Sequence, residues 1–160
     1  AEFVNFCDAF SIPVLTLTNV TGYKATKCQE KRIAKAAAKL IYAFHDMTAP
    51  KVNVIVGAAN GTASLAMNNS ADMTYAWPQA TIGMMDPVSA AKIMYADDKD
   101  ADLAEKAAQF AAQSGTEAAA ARGYVDSVIE PASARKQLLY AFEMLYNKCE
   151  YPIGKKHGTI

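Results

Sequence analysis

The stretch Gly61-Thr62-Ala63 has the residue types and spacing best suited to chemistry. It follows a run of β-branched residues that predicts a strand, and it opens a small-residue stretch that predicts a helix. A helix that starts directly after a strand leaves its first backbone N–H groups without partners, and these groups carry a partial positive charge. Such donors suit an anion or an oxygen that gains negative charge during a reaction. The same small residues also suit a close contact between helix and strand, which is the commoner use of this pattern.

Other reactive side chains have less support from their surroundings. His45 falls at the end of a predicted helix, where a cation is favoured by the helix dipole, so we interpret it as structural. Glu117 suits a general acid or base but also suits the first turn of a helix for the same electrostatic reason. Cys28 begins a predicted helix but has no partner residue that would make it a nucleophile. The three cysteines have no metal-ligand spacing, and we predict no metal site.

Composition excludes several classes of partner. The chain has 160 residues and a formal net charge of zero, which is unlike a nucleic-acid-binding domain. No apolar run approaches the roughly 20 residues of a membrane span, so we expect no direct membrane insertion. Unpaired cysteines are typical of a reducing compartment, and we expect a cytoplasmic protein.

Periodicity predicts strands alternating with helices, which favours one α/β domain with a largely parallel sheet flanked by helices. The predicted strands cover residues 14–18, 52–56, 73–77, 80–84 and 124–129, and a turn covers 57–61. The predicted helices cover residues 1–10, 28–46, 62–67, 86–95, 101–113, 116–122 and a segment from 131 onwards.

Two of these helices have an apolar face that we expect to point inward. In the helix over 28–46 this face is Ile33, Ala36, Ala37, Leu40, Ile41 and Phe44. The lysines and the arginine of that helix lie largely off this face, and we expect solvent around them. In the helix from 131 the inner face is Leu138, Leu139, Phe142, Leu145 and Tyr146.

Several longer motifs match those of a known protein family and occur in the same order. The segment Ala71-Asp-Met-Thr-Tyr-Ala-Trp-Pro78 is similar to the family's D-x-x-Y-A-W-P. The segment Arg122-Gly-Tyr-Val-Asp-Ser-Val-Ile-Glu-Pro131 is similar to its R-G-Y-V-D-x-V-I-E-P. Lys155-Lys-His-Gly158 resembles its C-terminal K-K-H-G. With these motifs the chain resembles, almost from end to end, the C-terminal half of the carboxyltransferase component of biotin-dependent acyl-CoA carboxylases and decarboxylases.

The resemblance implies a crotonase-like ββα superhelix, with residues 1–160 as the carboxyltransferase C-terminal domain. It implies transfer of a carboxyl group between carboxybiotin and an acyl-CoA. The backbone N–H groups of Thr62 and Ala63 would form the oxyanion hole. The residues around the biotin would be Gly61, Ser64, Leu65, Gly22 and Tyr23. Implied partners are a homologous N-terminal half that binds acyl-CoA, a biotin carboxyl carrier domain and further copies of the protein.

The sequence departs from the family pattern mainly where ligand should approach. The family's G-G-A-Y becomes Gly61-Thr-Ala-Ser64, its P-G-F-x-P-G becomes Thr21-Gly-Tyr-Lys-Ala-Thr26, and its M-G-P-x-G-A becomes Met85-Asp-Pro-Val-Ser-Ala90. These lost glycines keep open a second hypothesis, a non-catalytic assembly half-domain. A third hypothesis is a CoA-thioester hydratase or isomerase, which requires a carboxylate that the sequence does not place beside Thr62.

Overall fold

Within residues 1–24, 26–98 and 102–151, which a computed structural model describes, five parallel strands form a single sheet. The strands are β1 (Val14–Val20), β2 (Lys51–Asn60), β3 (Met73–Ala76), β4 (Thr81–Gly83) and β5 (Ser127–Val128). The helices are α1 (Glu2–Ala9), α2 (Lys27–Asp46), α3 (Gly61–Leu65), α4 (Pro87–Met94), α5 (Leu103–Gln113), α6 (Thr116–Ala121) and α7 (Pro131–Met144), which continues into a 3-10 turn (Leu145–Asn147). The mixed α/β class predicted from periodicity is confirmed.

The long strand β2 organises the sheet. Its first half lies between β1 and β3 in the order β1-β2-β3-β5, and its last residues pair with β4 instead. The register aligns Val14 with Lys51 on one side and Val52 with Met73 on the other. A bulge between Thr18 and Val20 shifts the register of β1 beside the second half of β2. The candidate turn at Gly61 therefore follows the longest strand of the sheet, which holds it in place.

Helices pack on both faces of the sheet. On one face, α1 and the C-terminal part of α2 pack over β1, and α6 packs over β2 and β3. On the other face, α7 covers β2 and β3. Burial alternates along β1 because strand side chains point to opposite faces: Val14, Thr16 and Thr18 are buried, whereas Leu15 and Leu17 are exposed.

Three predicted details are corrected by the structure. The predicted turn over residues 57–61 is strand as far as Asn60, because these small residues pair with β4. The strand predicted over 124–129 is reduced to Ser127–Val128. Leu139 and Tyr146, predicted to face inward, are exposed. The face of α7 that packs on the core is narrower than predicted and includes Leu138, Phe142 and Leu145.

The solvated basic side of α2 is confirmed, since its lysines and Arg32 are all exposed. The apolar face of α2 is only partly as predicted: Phe44 is buried and Leu40 packs on the core, but Ala36 is exposed. Among the described residues, no helix is long and apolar enough to span a membrane. The Lys155-Lys-His-Gly158 motif lies outside the described residues.

Candidate functional site

The candidate site is built where β2 gives way to α3. Asn60 has extended backbone, and Gly61 then turns the chain with a φ of +59° into the helix. A Cβ on Gly61 would stand 2.8 Å from the carbonyl oxygen of Met84, just beyond β4. Glycine is required here both for the left-handed backbone and for this close approach. The pairing of β2 with β4 thus places the carbonyl group of Met84 directly against the turn at Gly61.

Two backbone N–H groups are presented by this turn. Thr62 and Ala63 are the second and third residues of α3, so their N–H groups lack an acceptor within the helix. The side chain of Asn60, the N-cap residue, makes no capping hydrogen bond. The hydroxyl of Ser64 points back into the turn, where Oγ donates to the carbonyl oxygen of Gly61 at 2.8 Å. The turn is thereby braced by Ser64 while the two amides keep their donor capacity.

The loop after β1 reaches across to the same turn. The phenol of Tyr23 donates from Oη to the carbonyl oxygen of Thr62 at 3.1 Å. Gly22, immediately before it, has a φ of +151° and no heavy atom within 4 Å of where a Cβ would stand. The structure therefore brings Tyr23 and its neighbour Gly22 close to the segment 61–65.

The side chains around the turn differ in exposure. Thr62 and Leu65 face solvent, with Leu65 46% exposed, whereas Ala63 is buried and Ser64 is half-buried. Tyr23 is 40% exposed even though its hydroxyl is bonded. The small residues Ala63 and Ser64 thus lie at the centre of the turn, and the more exposed side chains of Tyr23 and Leu65 lie at its margins.

The other reactive candidates lie in different parts of the fold. His45 lies in the last turn of α2, where its Nδ1 donates to the carbonyl oxygen of Ile41 at 3.0 Å, which fits a structural role. Glu117 is exposed in the first turn of α6, and Cys28 is exposed at the start of α2. Within the described residues, no group of three or more metal-ligating side chains comes together.

Perturbed ionisation is found inside the sheet. Burial lowers the pKa of Lys51, with a further contribution from the nearby Lys148 cation. Burial also raises the pKa of Tyr75, with a further contribution from the Asp126 carboxylate. Lys51 opens β2 and Tyr75 lies in β3, so both belong to the framework that holds the turn.

Sequence reasoning missed two groups that support the site. The carbonyl oxygen of Met84 packs against Gly61, and the side chain of Asn19 accepts a hydrogen bond at Oδ1 from the N–H of Ala58 at 3.0 Å. The same oxygen would lie 2.6 Å from a Cβ on Gly57, so a side chain at this position would displace the Asn19 side chain. In the sequence only Gly57 points to this contact. The closeness of the Asn19 side chain becomes apparent only when β1 is placed beside β2.

Comparisons with known proteins identify the family. The carboxyl transferase domain model matches residues 1–160. The methylmalonyl-CoA carboxyltransferase 12S subunit of Propionibacterium freudenreichii subsp. shermanii is 42% identical over 100% of this chain and 33% of that protein. The methylmalonyl-CoA decarboxylase subunit alpha of Veillonella parvula is 40% identical over 100% of this chain and 32% of that protein.

The fold agrees with this relationship. A crystal structure of transcarboxylase 12S, with methylmalonyl-coenzyme A and methylmalonic acid bound, superposes with a TM-score of 0.93 at 39% identity. The match covers 98% of this chain and 32% of that one, so this chain spans about a third of the length of the relatives it matches. The prediction of a crotonase-like fold is confirmed. The chain belongs to the carboxyl transferase domain family.

Proposed function

We propose that the protein containing this chain is a biotin-dependent acyl-CoA carboxyltransferase, and that this chain is its biotin-side half. The observation that carries the proposal is the Gly61 turn, where two N-terminal amides of α3 lack an acceptor within the helix, in a member of this family. Relatives named for carboxylation, decarboxylation and carboxyl exchange of methylmalonyl-CoA and propionyl-CoA support an acyl-CoA substrate.

The donor set at the turn fits biotin. When bound, biotin would carry on its N1 atom the carboxyl group that is exchanged with the acyl-CoA. The N–H groups of Thr62 and Ala63 would hold the ureido oxygen, because two converging donors favour an oxygen on which negative charge increases. Gly61 would allow close approach of the ring, and Ser64 would fix the turn. Tyr23 and Leu65 would pack beside the ring at the margins of the surface, with Gly22 leaving room next to Tyr23.

The remaining parts of the site would come from other chains or segments. We propose that residues 1–160 act as a C-terminal carboxyltransferase domain that faces a homologous N-terminal half, which would bind the acyl-CoA. A biotin carboxyl carrier domain would bring the carboxybiotin, and the whole would be a homo-oligomer in the cytoplasm. The hexamer assembly named for the transcarboxylase 12S crystal structure supports an oligomer.

The sharpest test removes one donor without changing the fold. Proline is tolerated in the first turn of a helix, where its missing N–H has no intrahelical acceptor. We expect Thr62→Pro in the full-length protein to lower kcat for carboxyl transfer to free biotin by about 10²–10³-fold. Thr62→Ala keeps the amide and should retain kcat within about threefold. If Thr62→Pro folds and remains as active as Thr62→Ala, the oxyanion role is wrong.

The non-catalytic alternative has one specific observation in its favour: an exposed threonine stands where the family pattern has a second glycine. In that case the turn would be a structural remnant. Titration of the full-length protein with biotin distinguishes the two, since saturable binding that protects the amides of Thr62 and Ala63 from hydrogen exchange would exclude an assembly-only role. Turnover of an enoyl-CoA would instead favour a hydratase or isomerase.

A further inference from the structure

The first half of α2 projects from the body of the fold. From Lys27 to Lys39, only Ile33 and Ala37 are even half-buried, and every other residue is exposed. The helix packs on the core only in its later turns, through Leu40, Ala43 and Phe44. We call residues 27–39 the basic arm. Because these residues are exposed, packing within this chain does not explain why this part of α2 is helical.

The basic arm carries a row of like charges. Its lysines recur every four residues, which places them along one side of the helix: Lys27, Lys31, Lys35 and Lys39. Arg32 adds a fifth cation, and Glu30 is the one acid of the arm. None of the ion pairs between described residues involves the row. Like charges at this spacing destabilise a helix, and Lys27 also opposes the positive end of the helix dipole.

The arm begins beside the candidate site. Tyr23, whose hydroxyl contacts the carbonyl oxygen of Thr62, precedes Lys27 by four residues, so the two lie at most about 14 Å apart along the chain. Thr26 caps the helix start, with its Oγ1 accepting from the N–H of Gln29 at 3.3 Å. In a chain of zero net charge, this row of cations therefore begins within about 14 Å of a residue of the candidate site.

We propose that the basic arm docks an acidic face of the protein domain that delivers biotin to the Gly61 turn. The proposal rests on the proposed function. An acidic face would neutralise the unfavourable row and would orient the incoming domain toward Thr62 and Ala63. Opposite charges across a contact accelerate encounter and fix its orientation, which suits a carrier that must arrive and leave in each cycle.

The shape of the arm favours a protein over a phosphate group. The row from Lys27 to Lys39 extends about 18 Å along an exposed stretch of helix. Small anions such as the phosphates of coenzyme A bind best where several donors converge on one point. An exposed row of this length instead matches the extended face of another domain.

The test compares charge reversals in two places. The triple variant Lys27→Glu, Lys31→Glu and Lys35→Glu reverses the arm. The control triple Lys92→Glu, Arg135→Glu and Lys136→Glu makes the same change in net charge at exposed positions of α4 and α7. Both are made in the full-length protein, and binding is measured to a biotinylated carrier domain of net negative charge. The same carrier with its surface carboxylates amidated serves as a second probe.

We expect the arm variant to raise the Kd of the acidic carrier at least tenfold at 0.05 M salt, and the control variant to raise it less than threefold. The difference should largely vanish at 0.5 M salt, where exposed charges are screened, and with the amidated carrier. The KM for free biotin and the Kd of acyl-CoA should stay unchanged in both variants, which separates docking from the integrity of the turn.

Three results would overturn the docking proposal. Equal weakening by the two triples would mean that only net charge matters. A loss of acyl-CoA affinity with unchanged carrier binding would assign the row to nucleotide phosphates. A change in oligomeric state by sedimentation would assign it to contacts between subunits. Absence of carboxyl transfer to free biotin in the unmodified protein would instead reject the proposed function, independently of the arm variants.

Discussion

Gly61 is the residue at which the backbone of the candidate site cannot accept a side chain. Its φ is +59°, and the carbonyl oxygen of Met84 occupies the space of a Cβ. Thr62 and Ser89 replace family glycines, but neither has a positive φ. Ser89 even helps to start α4, since its N–H and hydroxyl both donate to Asp86. The glycine that the geometry requires is thus kept, and the replaced ones lie where the backbone tolerates a side chain.

Replacing Gly61 by alanine should damage the turn more than strain alone can explain. We expect Gly61→Ala to lower the free energy of unfolding by about 2–4 kcal/mol, because left-handed strain and a backbone clash add together. Gly123→Ala is the matched control, since Gly123 has a φ of +78° with no atom near a Cβ, and should cost about 1–2 kcal/mol. Urea unfolding measures both, and equal losses would contradict the close contact with Met84.

Lys51 is a buried cation whose main partners are backbone carbonyls. Its Nζ donates to the carbonyl oxygens of Phe44 and Met47 at 2.5 and 3.0 Å, which closes the C-terminal end of α2. Lys51→Met should lower the free energy of unfolding by about 1–3 kcal/mol near pH 7, because these buried carbonyls lose their donor. Lys92→Met, at an exposed lysine, should change it by less than about 0.5 kcal/mol.

The unmodified chain and the Lys51→Met variant should also differ in how their unfolding free energies depend on pH. Burial holds the pKa of Lys51 below its ordinary value of 10.5 in the folded chain. Between the folded and the unfolded pKa the unfolded chain binds more protons, so Lys51 adds stability as the pH rises through that window. The gap in unfolding free energy between the unmodified chain and Lys51→Met should therefore widen from pH 8 to 10.5. A gap that narrows would mean that the charged form is favoured by folding.

At the scale of elements, Asp8 ties α1 to the connection between α2 and β2. Its Oδ1 accepts from the N–H of Thr48 at 2.8 Å, from the Thr48 hydroxyl at 3.1 Å and from the N–H of Ala49 at 3.0 Å. Hydrogen bonds to a carboxylate are stronger than neutral ones, and three share this atom. The connection leads directly into β2, which carries the candidate turn.

Removal of this carboxylate should loosen the start of β2. We expect Asp8→Ala to lower the free energy of unfolding by about 2–3 kcal/mol, and Asp8→Asn, which keeps an acceptor oxygen, by about half as much. Hydrogen exchange should show faster exchange at Thr48 and Ala49 in Asp8→Ala. Unchanged exchange at these two amides, with or without a loss of stability, would contradict the clamp.

Elements with strong local signals were predictable from sequence, and those that depend on distant pairing were not. The strand over residues 14–18 and the helix over residues 86–95 have local signals, and both occur close to their predicted places. The strand character of residues 57–60 depends on β4, whose residues lie 23 positions beyond their partners in the chain. Leu139 is exposed although its neighbour Leu138 packs on the core, because one residue turns a helix by about 100°. The turn itself was located by sequence, whereas the contacts of Met84 and Asn19 required the fold.

At the scale of the whole molecule, the chain displays apolar side chains that its own core does not cover. Phe3, Phe6 and Phe10 of the α1 region are 69%, 57% and 66% exposed, and the rings of Phe6 and Phe10 contact each other at a tilt, with centroids 4.8 Å apart. They recur at one face of the helix, while Val4 and Cys7 on the other face join the core. Aromatic side chains each bring about 150–250 Å² of apolar surface, so this face alone approaches the largest patch of a typical monomer.

The 160-residue chain produced alone should therefore self-associate through this face. Sedimentation at micromolar concentration should give a dimer or larger species, and Phe6→Glu with Phe10→Glu should return the chain to a monomer, because two charges in an apolar contact cannot be solvated there. Leu139→Glu with Met144→Glu, at exposed apolar positions of α7, makes the same change in charge and should leave the association intact. The isolated chain should also catalyse no carboxyl transfer, since the acyl-CoA-binding half would be missing. A monomeric chain would contradict the first expectation, and measurable transfer would contradict the second.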